Sequence, residues 1–513
     1  MSLAVRAPAP APAPAAGLPG QPPTARLSSV SARALTVVAP ASLSLALGMW
    51  GIRRQNTMWG DEAVTYRLAQ REWYRLWETV QQVDLVHALY YAVMHLVFDV
   101  FGAELLSLRL PSVLAMAAAA GGVGLLGLRL AGPRAGATAG LVFALLPQVQ
   151  KYAQEGRSYA MVCALVTWAT CALVISSSRR GRWRWTVYGF AMLLACLLHE
   201  FAVLALVAHG VTVIVSRPPK AVLRAWSVTA GGVVAALLPL AIVSAGQSEQ
   251  VSWIGGPVRP YPWLTAVVVG LVCTRAPLRS RGAVRLTALA VPLLVLPGAL
   301  LLVVSLVKPI FVDRYVLFGE IGLALLLGAF LEYVHRLPRH SWTVYVAVPA
   351  ALVALAPLSS SLRTPQSRSN DASAIGAAVR TAGHAGDGLL YLSGQHRTLT
   401  DPDDTRLLVD IALARDPVAS NTLAGVEHPA PEIAARMKRF DRIVVVRAAG
   451  THAPGDPREE AKRDTLRRHF RAHATSEING ARVTLYTRIH PKYGSHASCR
   501  TSDGQHRSVA VRS

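Results

Sequence analysis

The sequence predicts a polytopic α-helical membrane protein of about eleven spans, with eleven to thirteen fitting the pattern, and a small C-terminal extracytoplasmic α/β domain. Three observations carry this. Of 513 residues, 52% are hydrophobic and only 16% charged, whereas a soluble domain averages about 25% charged. The apolar residues fall into runs near the ~20 residues that cross hydrocarbon. The basic excess, formally +23, divides between alternate loops, as positive-inside topology requires, and a basic C-terminal domain, and so does not itself point to a nucleic-acid partner.

Residues 1–33 are an Ala/Pro-rich stretch with Arg6, Arg26 and Arg33, a composition expected to remain a disordered cytoplasmic tail. The run from Ala34 to Trp50 has a long Pro-rich leader and no clear cleavage site, and reads as an uncleaved first span. Residues 34–359 form the transmembrane domain, with a first outer loop at about 53–109 and further spans near 110–130, 135–150, 157–177, 185–198, 201–215, 226–245, 263–275, 286–307, 316–334 and 342–358. The segment 87–101, with His87, His95 and Asp99 among its apolar residues, is placed as a juxtamembrane or half-inserted helix. With a cytoplasmic N-terminus, the inner loops then hold Arg129, Arg134, Arg179, Arg180, Arg182, Arg184, Arg217, Lys220, Arg224, Arg275, Arg279, Arg281, Arg285, Arg336 and Arg339. The short outer loops hold little: none between His199 and Glu200, Arg259 alone in 246–262, and Lys308 with Arg314 in 308–315.

From about 360 the chain turns polar. Residues 360–490 read as the extracytoplasmic domain: a helix near 372–384, a strand in GLLYLSG, a helix near 404–415, a helix leading into the buried-type strand RIVVVRA, and a basic helix near 458–472. A hairpin turning at Asn479-Gly480 and returning as VTLYTRI follows. Residues 491–513 read as a disordered tail. Cys163, Cys171, Cys196 and Cys273 lie in apolar runs and Cys499 in the tail, so no disulfide framework or CxxC metal site is present. Walker, dinucleotide-glycine and GxSxG signatures are absent from the sequence.

Residues 1–360 contain thirteen Asp and Glu, and in this topology all but Glu332 fall at the outer face. A charge at membrane depth costs about 2.5 kcal/mol or more, so the asymmetry marks an outer polar cavity or reaction centre. In MWGDEAVTY the adjacent Asp61 and Glu62 are expected to raise each other's pKa, which suits proton abstraction from a hydroxyl; the same pattern also fits an acidic helix start. In QVQKYAQEGRSYAM, Glu155, Arg157 and Tyr159 sit at the mouth of a span, where Arg157 and Tyr159 suit a phosphate or sugar oxygen, or a headgroup anchor. His199 and Glu200 interrupt two spans, either as site residues or as a hairpin turn. Arg314 and Tyr315 of VDRYVLF sit where a lipid phosphate would, unless Arg314 pairs with Asp313. His87 and His95 have no third ligand at metal-like spacing.

WGDEAVTY, HALYYAVMHLVFDVFG, LSLRLPSVLA and YAQEGRSYAM, in that order, resemble bacterial membrane glycosyltransferases of the GT-C superfamily, relatives of the protein O-mannosyltransferases and the lipid A aminoarabinose transferase. The resemblance covers roughly 45–210, loosens through Asp313-Arg314-Tyr315, and is architectural beyond. It implies inverting transfer of one sugar, mannose by analogy, from a polyprenyl-phosphate donor to an envelope glycan, lipid or secreted protein at the outer face of the bacterial plasma membrane. It further implies Asp61, with Glu62 beside it, as general base or acceptor-orienting group. His87, Tyr91, Glu155, Arg157, Tyr159, His199, Arg314 and Tyr315 then bind substrate. No cofactor is required, and a divalent cation is left open. The family's His-Pro-Pro before Leu-Tyr-Tyr is here His87-Ala88-Leu89-Tyr90-Tyr91. A transporter or flippase of a lipid-linked precursor would also bury polar residues, but predicts inverted repeats that the sequence does not display. A membrane-anchored binding protein would instead work through residues 360–513.

Overall fold

The computed structural model describes residues 24–178, 181–247, 260–338, 342–448 and 455–489. Most of the Ala/Pro tail, Arg179, Arg180, Arg259, Arg339, Glu249 and the C-terminal tail with Cys499 lie outside the described residues. The chain divides into two compact units, the first comprising residues up to Ser373 together with Pro417–Gly425, the second Ala374–Asp416 and the residues from Val426 onward.

In the first unit every expected apolar run is helical. Helix α1 (Thr24–Met49) begins well ahead of Ala34, because no Pro or Gly interrupts ARLSSVSARAL. The segment after α1 folds into α2 (Gly60–Ala69), α3 (Trp73–Gln82) and α4 (Ala88–Phe101). Helix α4 has 14 residues and spans about 21 Å at 1.5 Å per residue, short of the ~30 Å hydrocarbon core. Then come α5 (Leu105–Leu130), α6 (Pro133–Leu145), α7 (Pro147–Ala153), α8 (Tyr159–Ser178), α9 (Arg182–Leu198), α10 (Val203–Val215), α11 (Lys220–Gly246), α12 (Tyr261–Cys273), α13 (Leu286–Ser305), α14 (Glu320–His335) and α15 (Thr343–Ser361). Among the described residues, six helices are long and apolar enough to cross a membrane: Arg33–Asn56, Leu105–Leu130, Tyr159–Ser178, Lys220–Gly246, Leu286–Ser305 and Asp313–His335. Leu85–Phe101, Glu200–Val215, Tyr261–Cys273 and Tyr345–Ser361 are shorter apolar helices.

Helices α1, α5 and α6 meet through small residues, which lets backbones approach without a hydrophobic drive. A Cβ on Gly124 would lie 2.0 Å from the Thr36 carbonyl oxygen, and one on Gly136 2.6 Å from that of Gly124. Polar side chains join other helices: His209 exchanges hydrogen bonds with Thr170 at 3.0 Å and Tyr188 at 3.1 Å, and Trp226 donates to Tyr188 at 3.2 Å. The exposed faces of α11 and α12 carry Val228, Leu238, Ile242, Val268 and Val272, which water would disfavour and lipid would not.

The second unit is a five-stranded sheet in the order β2 (Val409–Asp410), β1 (Gly388–Tyr391), β5 (Arg442–Ala448), β7 (Ala481–Arg488), β6 (Phe470–Ile478), with β2, β1 and β5 parallel and β7 antiparallel to its neighbours. Strands β3 (Leu413–Arg415) and β4 (Val426–Glu427) form a separate ribbon. The two-residue alternation sends Leu389, Tyr391, Val444 and Val446 to one apolar layer with α16 (Ala372–Ala382), and Leu390, Ile443 and Val445 to the other, with α18 (Ala430–Met437) and α19 (Pro457–His469). Burial on both faces explains the RIVVVRA run. The expected hairpin forms, with Gly480 at φ 85°.

Two expectations are corrected. In place of a helix at 404–415 stand α17 (Pro402–Thr405), β2 and β3. The Asp410 carboxylate accepts the Ala412 and Leu413 N–H groups at 3.2 and 3.1 Å and takes both nitrogens of the Arg397 fork, turning the chain out of any helix. The basic helix stops at His469 because Phe470 is already extended and opens β6. Its Lys462 is fully buried and saturated by the Tyr391 and Leu392 carbonyls and by Glu427 at 2.7 Å.

Replacing Gly124 by Val is expected to cost about 1–3 kcal/mol through overpacking, read as a lower thermal midpoint in detergent. Gly231→Val, with nothing within 4 Å of the added carbon, leaves the midpoint unchanged.

Candidate functional site

The site begins with a turn of unusual backbone. Arg54, Gln55 and Asn56 have φ of 43°, 57° and 63°, a left-handed path that costs L-residues energy and persists only where neighbours impose it. What imposes it is Glu62. Its carboxylate is 0% exposed. Oε2 accepts Arg54 Nη2 at 2.6 Å, Arg109 Nη2 at 2.8 Å and the Trp59 N–H at 3.1 Å, while Oε1 accepts Arg109 Nε at 2.8 Å and the Gly156 N–H at 2.9 Å. Arg109, from the second turn of α5, also donates to the Ile52 and Thr57 carbonyls at 2.6 Å each. Burial alone would raise the Glu62 pKa. The two guanidiniums and the Arg109 and Gly156 hydrogen bonds outweigh it and hold the carboxyl well below the usual range.

Asp61 does not pair with Glu62 or with the cations that hold it. Adjacent residues on a helix point about 100° apart, and Asp61 faces outward with a side chain 32% exposed, its Oδ2 at 3.3 Å from Arg314 Nη2. The expected pKa increase is corrected at Glu62, which moves down, and the two carboxylates face different cations.

Arg314 is presented by a 3₁₀ turn, Asp313–Gly319. The Asp313 carboxylate is taken by Gln148 Nε2 at 2.9 Å, the Tyr152 hydroxyl at 3.0 Å and the Arg314 N–H at 2.9 Å. The Arg314 guanidinium thus turns to Asp61, not Asp313. It lies 5.2 Å from the Trp59 ring centre, 5.5 Å from Tyr159 and 5.7 Å from Tyr315, a cation in an aromatic box. His199 packs on Tyr315 at 4.7 Å and Tyr159 at 5.5 Å. Burial, then the charges of His87, Arg157 and Arg314, push its pKa well down, so it is neutral here.

His199 also meets His87 edge to face at 5.6 Å. Asp84, left-handed at φ 62°, holds His87 Nδ1 at 2.6 Å and accepts the Tyr91 hydroxyl. Burial opposes its ionisation, but His87 and the hydrogen bonds keep its pKa low. Arg157 Nη1 donates to the Tyr91 hydroxyl at 3.2 Å and to Thr65 at 3.3 Å. Glu155 lies buried beside these groups, with Arg368 Nε 3.3 Å from its Oε2. Burial, offset in part by Arg368 and Arg314, raises its pKa.

The structure thus brings Asp61, Arg314, Tyr315, Tyr159, His199, His87, Tyr91 and Arg157 into one contiguous cluster, with Glu155 adjoining. Glu200 separates from His199 and accepts Ser244 of α11 at 2.9 Å. His95 separates from His87 and bonds the Ala69 carbonyl at 2.9 Å. Sequence reasoning passed over Asp84, Trp59, Tyr152 and Arg109. Of these Arg109 carried a signal as an Arg in the apolar stretch LSLRLPSVLA, and Asp84 one as an outer-face carboxylate. Among the described residues no three His, Cys, Asp or Glu side chains converge to hold a metal ion.

No family model matches the sequence, and no curated protein matches it. Solved structures do match in fold. ArnT from Cupriavidus metallidurans in the apo state aligns with a TM-score of 0.54 at 12% identity, over 90% of this chain and 98% of that one. ArnT from the same organism bound to undecaprenyl phosphate aligns with a TM-score of 0.57 at 13% identity, over 88% of this chain and 97% of that one. The chain therefore has the ArnT fold along nearly its whole length.

Glu62→Gln leaves Arg54 and Arg109 facing each other in a buried site, and is expected to cost about 3–5 kcal/mol, seen as lost thermal stability in detergent. Because the folded-state pKa is depressed, the stabilisation from Glu62 is complete above its ordinary value near 4.5 and declines as pH falls below it. The variant flattens that acid limb of the stability profile.

Proposed function

We propose that the protein is an integral membrane glycosyltransferase that moves one sugar from a polyprenyl-phosphate donor to an envelope acceptor at the outer face of the bacterial plasma membrane. The observation that carries this reading is the Asp61–Arg314 pair, a partly exposed carboxylate against a buried cation ringed by Trp59, Tyr159 and Tyr315. The shared fold with an ArnT that binds undecaprenyl phosphate supports the class of donor.

In this reading the acceptor hydroxyl enters between Asp61 and the sugar. Asp61 takes its proton, the acceptor oxygen bonds to the anomeric carbon from the face opposite the phosphate, and the anomeric carbon–oxygen bond breaks with its electron pair on the lipid phosphate. Inversion follows from the single displacement. Arg314 and Arg157 stabilise the departing phosphate, whose charge grows as Arg314 exchanges Asp61 for it in a water-poor site. His199 is kept neutral and suits a sugar hydroxyl, as do Tyr91 and Tyr159. His87, oriented by Asp84, contributes a fixed ring nitrogen. Phosphate leaves readily, so no cofactor is required; a divalent cation, if one assists, would be revealed by loss of turnover in chelator. Mannose is the sugar that the resemblance to O-mannosyltransferases suggests, with a glycan, lipid or secreted protein as acceptor.

Asp61→Asn is nearly isosteric. With a defined polyprenyl-phosphate sugar in membranes, kcat is expected to fall about 10²–10⁴-fold, with undecaprenyl phosphate still bound; undiminished turnover would sink the assignment. Arg314→Met should weaken undecaprenyl phosphate binding as well as turnover, by about 1.5–3 kcal/mol for a lost charged hydrogen bond.

A further inference from the structure

The polar stretch after α15, LRTPQSRSNDAS, packs within the first unit and reaches the site. Arg363 anchors its start, donating to the Leu47 and Trp50 carbonyls at 2.6 and 3.0 Å and stacking 4.3 Å from the Trp50 ring. Three consecutive residues then each grip a different part of the site. Arg368 donates to the Lys151 carbonyl at 2.7 Å and faces Glu155. Ser369 Oγ accepts the Trp59 indole N–H at 3.1 Å, and Asn370 Oδ1 accepts the Gly60 N–H at 2.7 Å, each across 310 residues of sequence. Ala372 N–H closes the strap on the Met58 carbonyl at 2.8 Å.

The Asn370 contact has a specific mechanical meaning. Gly60 is the first residue of α2, and its N–H is one of the donors a helix start leaves without an internal partner. The residue before it is Trp59, which offers no oxygen to cap them. Asn370 supplies that oxygen from the far end of the unit. Together with Glu62 it fixes the rotation of α2 about its axis, and hence the direction of Asp61 on the next residue. Ser369, by fixing the indole, sets the ring that covers Arg314.

We infer that residues 368–370 form a wall of the site, with Asn370 the positioning residue for Asp61 and Ser369, through Trp59, for Arg314. The contacts stand by themselves; their effect on turnover rests on the transferase reading. A base must lie within about 3 Å of the proton it takes, and a misplacement of about 1 Å can cost 10²-fold.

The test uses the full-length protein in phosphatidylethanolamine–phosphatidylglycerol nanodiscs. Asn370→Ala is expected to speed amide exchange in residues 57–61 about tenfold or more, as a lost local protection. It should lower kcat with an undecaprenyl-phosphate sugar about tenfold to a hundredfold, while undecaprenyl phosphate affinity stays within about twofold and the thermal midpoint holds. Asn370→Asp keeps the acceptor oxygen, and a negative charge at a helix start is favourable, so both exchange and kcat recover. The inference is overturned if Asn370→Ala leaves exchange at 57–61 unchanged. It is equally overturned if exchange speeds while affinity, midpoint and kcat all fall together and Asn370→Asp rescues none of them. If the unmodified protein transfers no sugar from such a donor, the transferase reading fails, and the exchange result alone decides the strap.

Discussion

The interaction on which the site depends is the buried carboxylate of Glu62 between Arg54 and Arg109. An isolated charge in such a place is prohibitive, but one that accepts five donors is fully compensated. The consequence is geometric. One side chain ties the turn after the first helix, the second turn of α5 and the Gly156 backbone to the start of α2. Arg54–Asn56 keep their left-handed path because Arg109 holds the carbonyls on either side of it. With α2 fixed in this way, Asp61 has one direction left, toward Arg314.

Arginine does most of this work, in three distinct settings. Arg54 and Arg109 are internal and neutralise a carboxylate. Arg314 and Arg157 face the cluster of aromatic and hydroxyl groups, where a planar cation can stack and donate together. Arg363 and Arg368 lie on the strap and spend donors on backbone carbonyls, Arg368 also meeting Glu155. A lysine's single ammonium could not occupy the Arg109 position, which uses Nε and both terminal nitrogens at once.

Much of the fold was legible in the sequence because it rests on local periodicity. Apolar runs became helices, RIVVVRA became a strand buried on both faces, and Asn479-Gly480 turned a hairpin. Where periodicity was overruled, one polar residue did it, as when Asp410 gathered Arg397 and two backbone amides and drew a helical-looking segment into strands. The candidate residues of the site were likewise legible by type, since Asp61, Arg157, His199 and Arg314 each break an apolar context. Their partners were not. Arg109 finds Glu62 across 47 residues and Asn370 finds Gly60 across 310, and no spacing rule reaches that far. The pairing of Asp61 with Glu62 failed for a simpler reason: neighbours in sequence are not neighbours on a helical face.

The left-handed turn before α2 has a consequence for which changes this chain can tolerate. Surface loops ordinarily accept inserted residues at little cost. Here one residue gained or lost between Ile52 and Asp61 would rotate the start of α2 by about 100°, sending the wrong carboxylate inward and the other toward the aromatic box. Related chains can therefore vary this segment in side chain far more freely than in length, and the spacing from the end of the first helix to the Asp-Glu pair is itself part of the site.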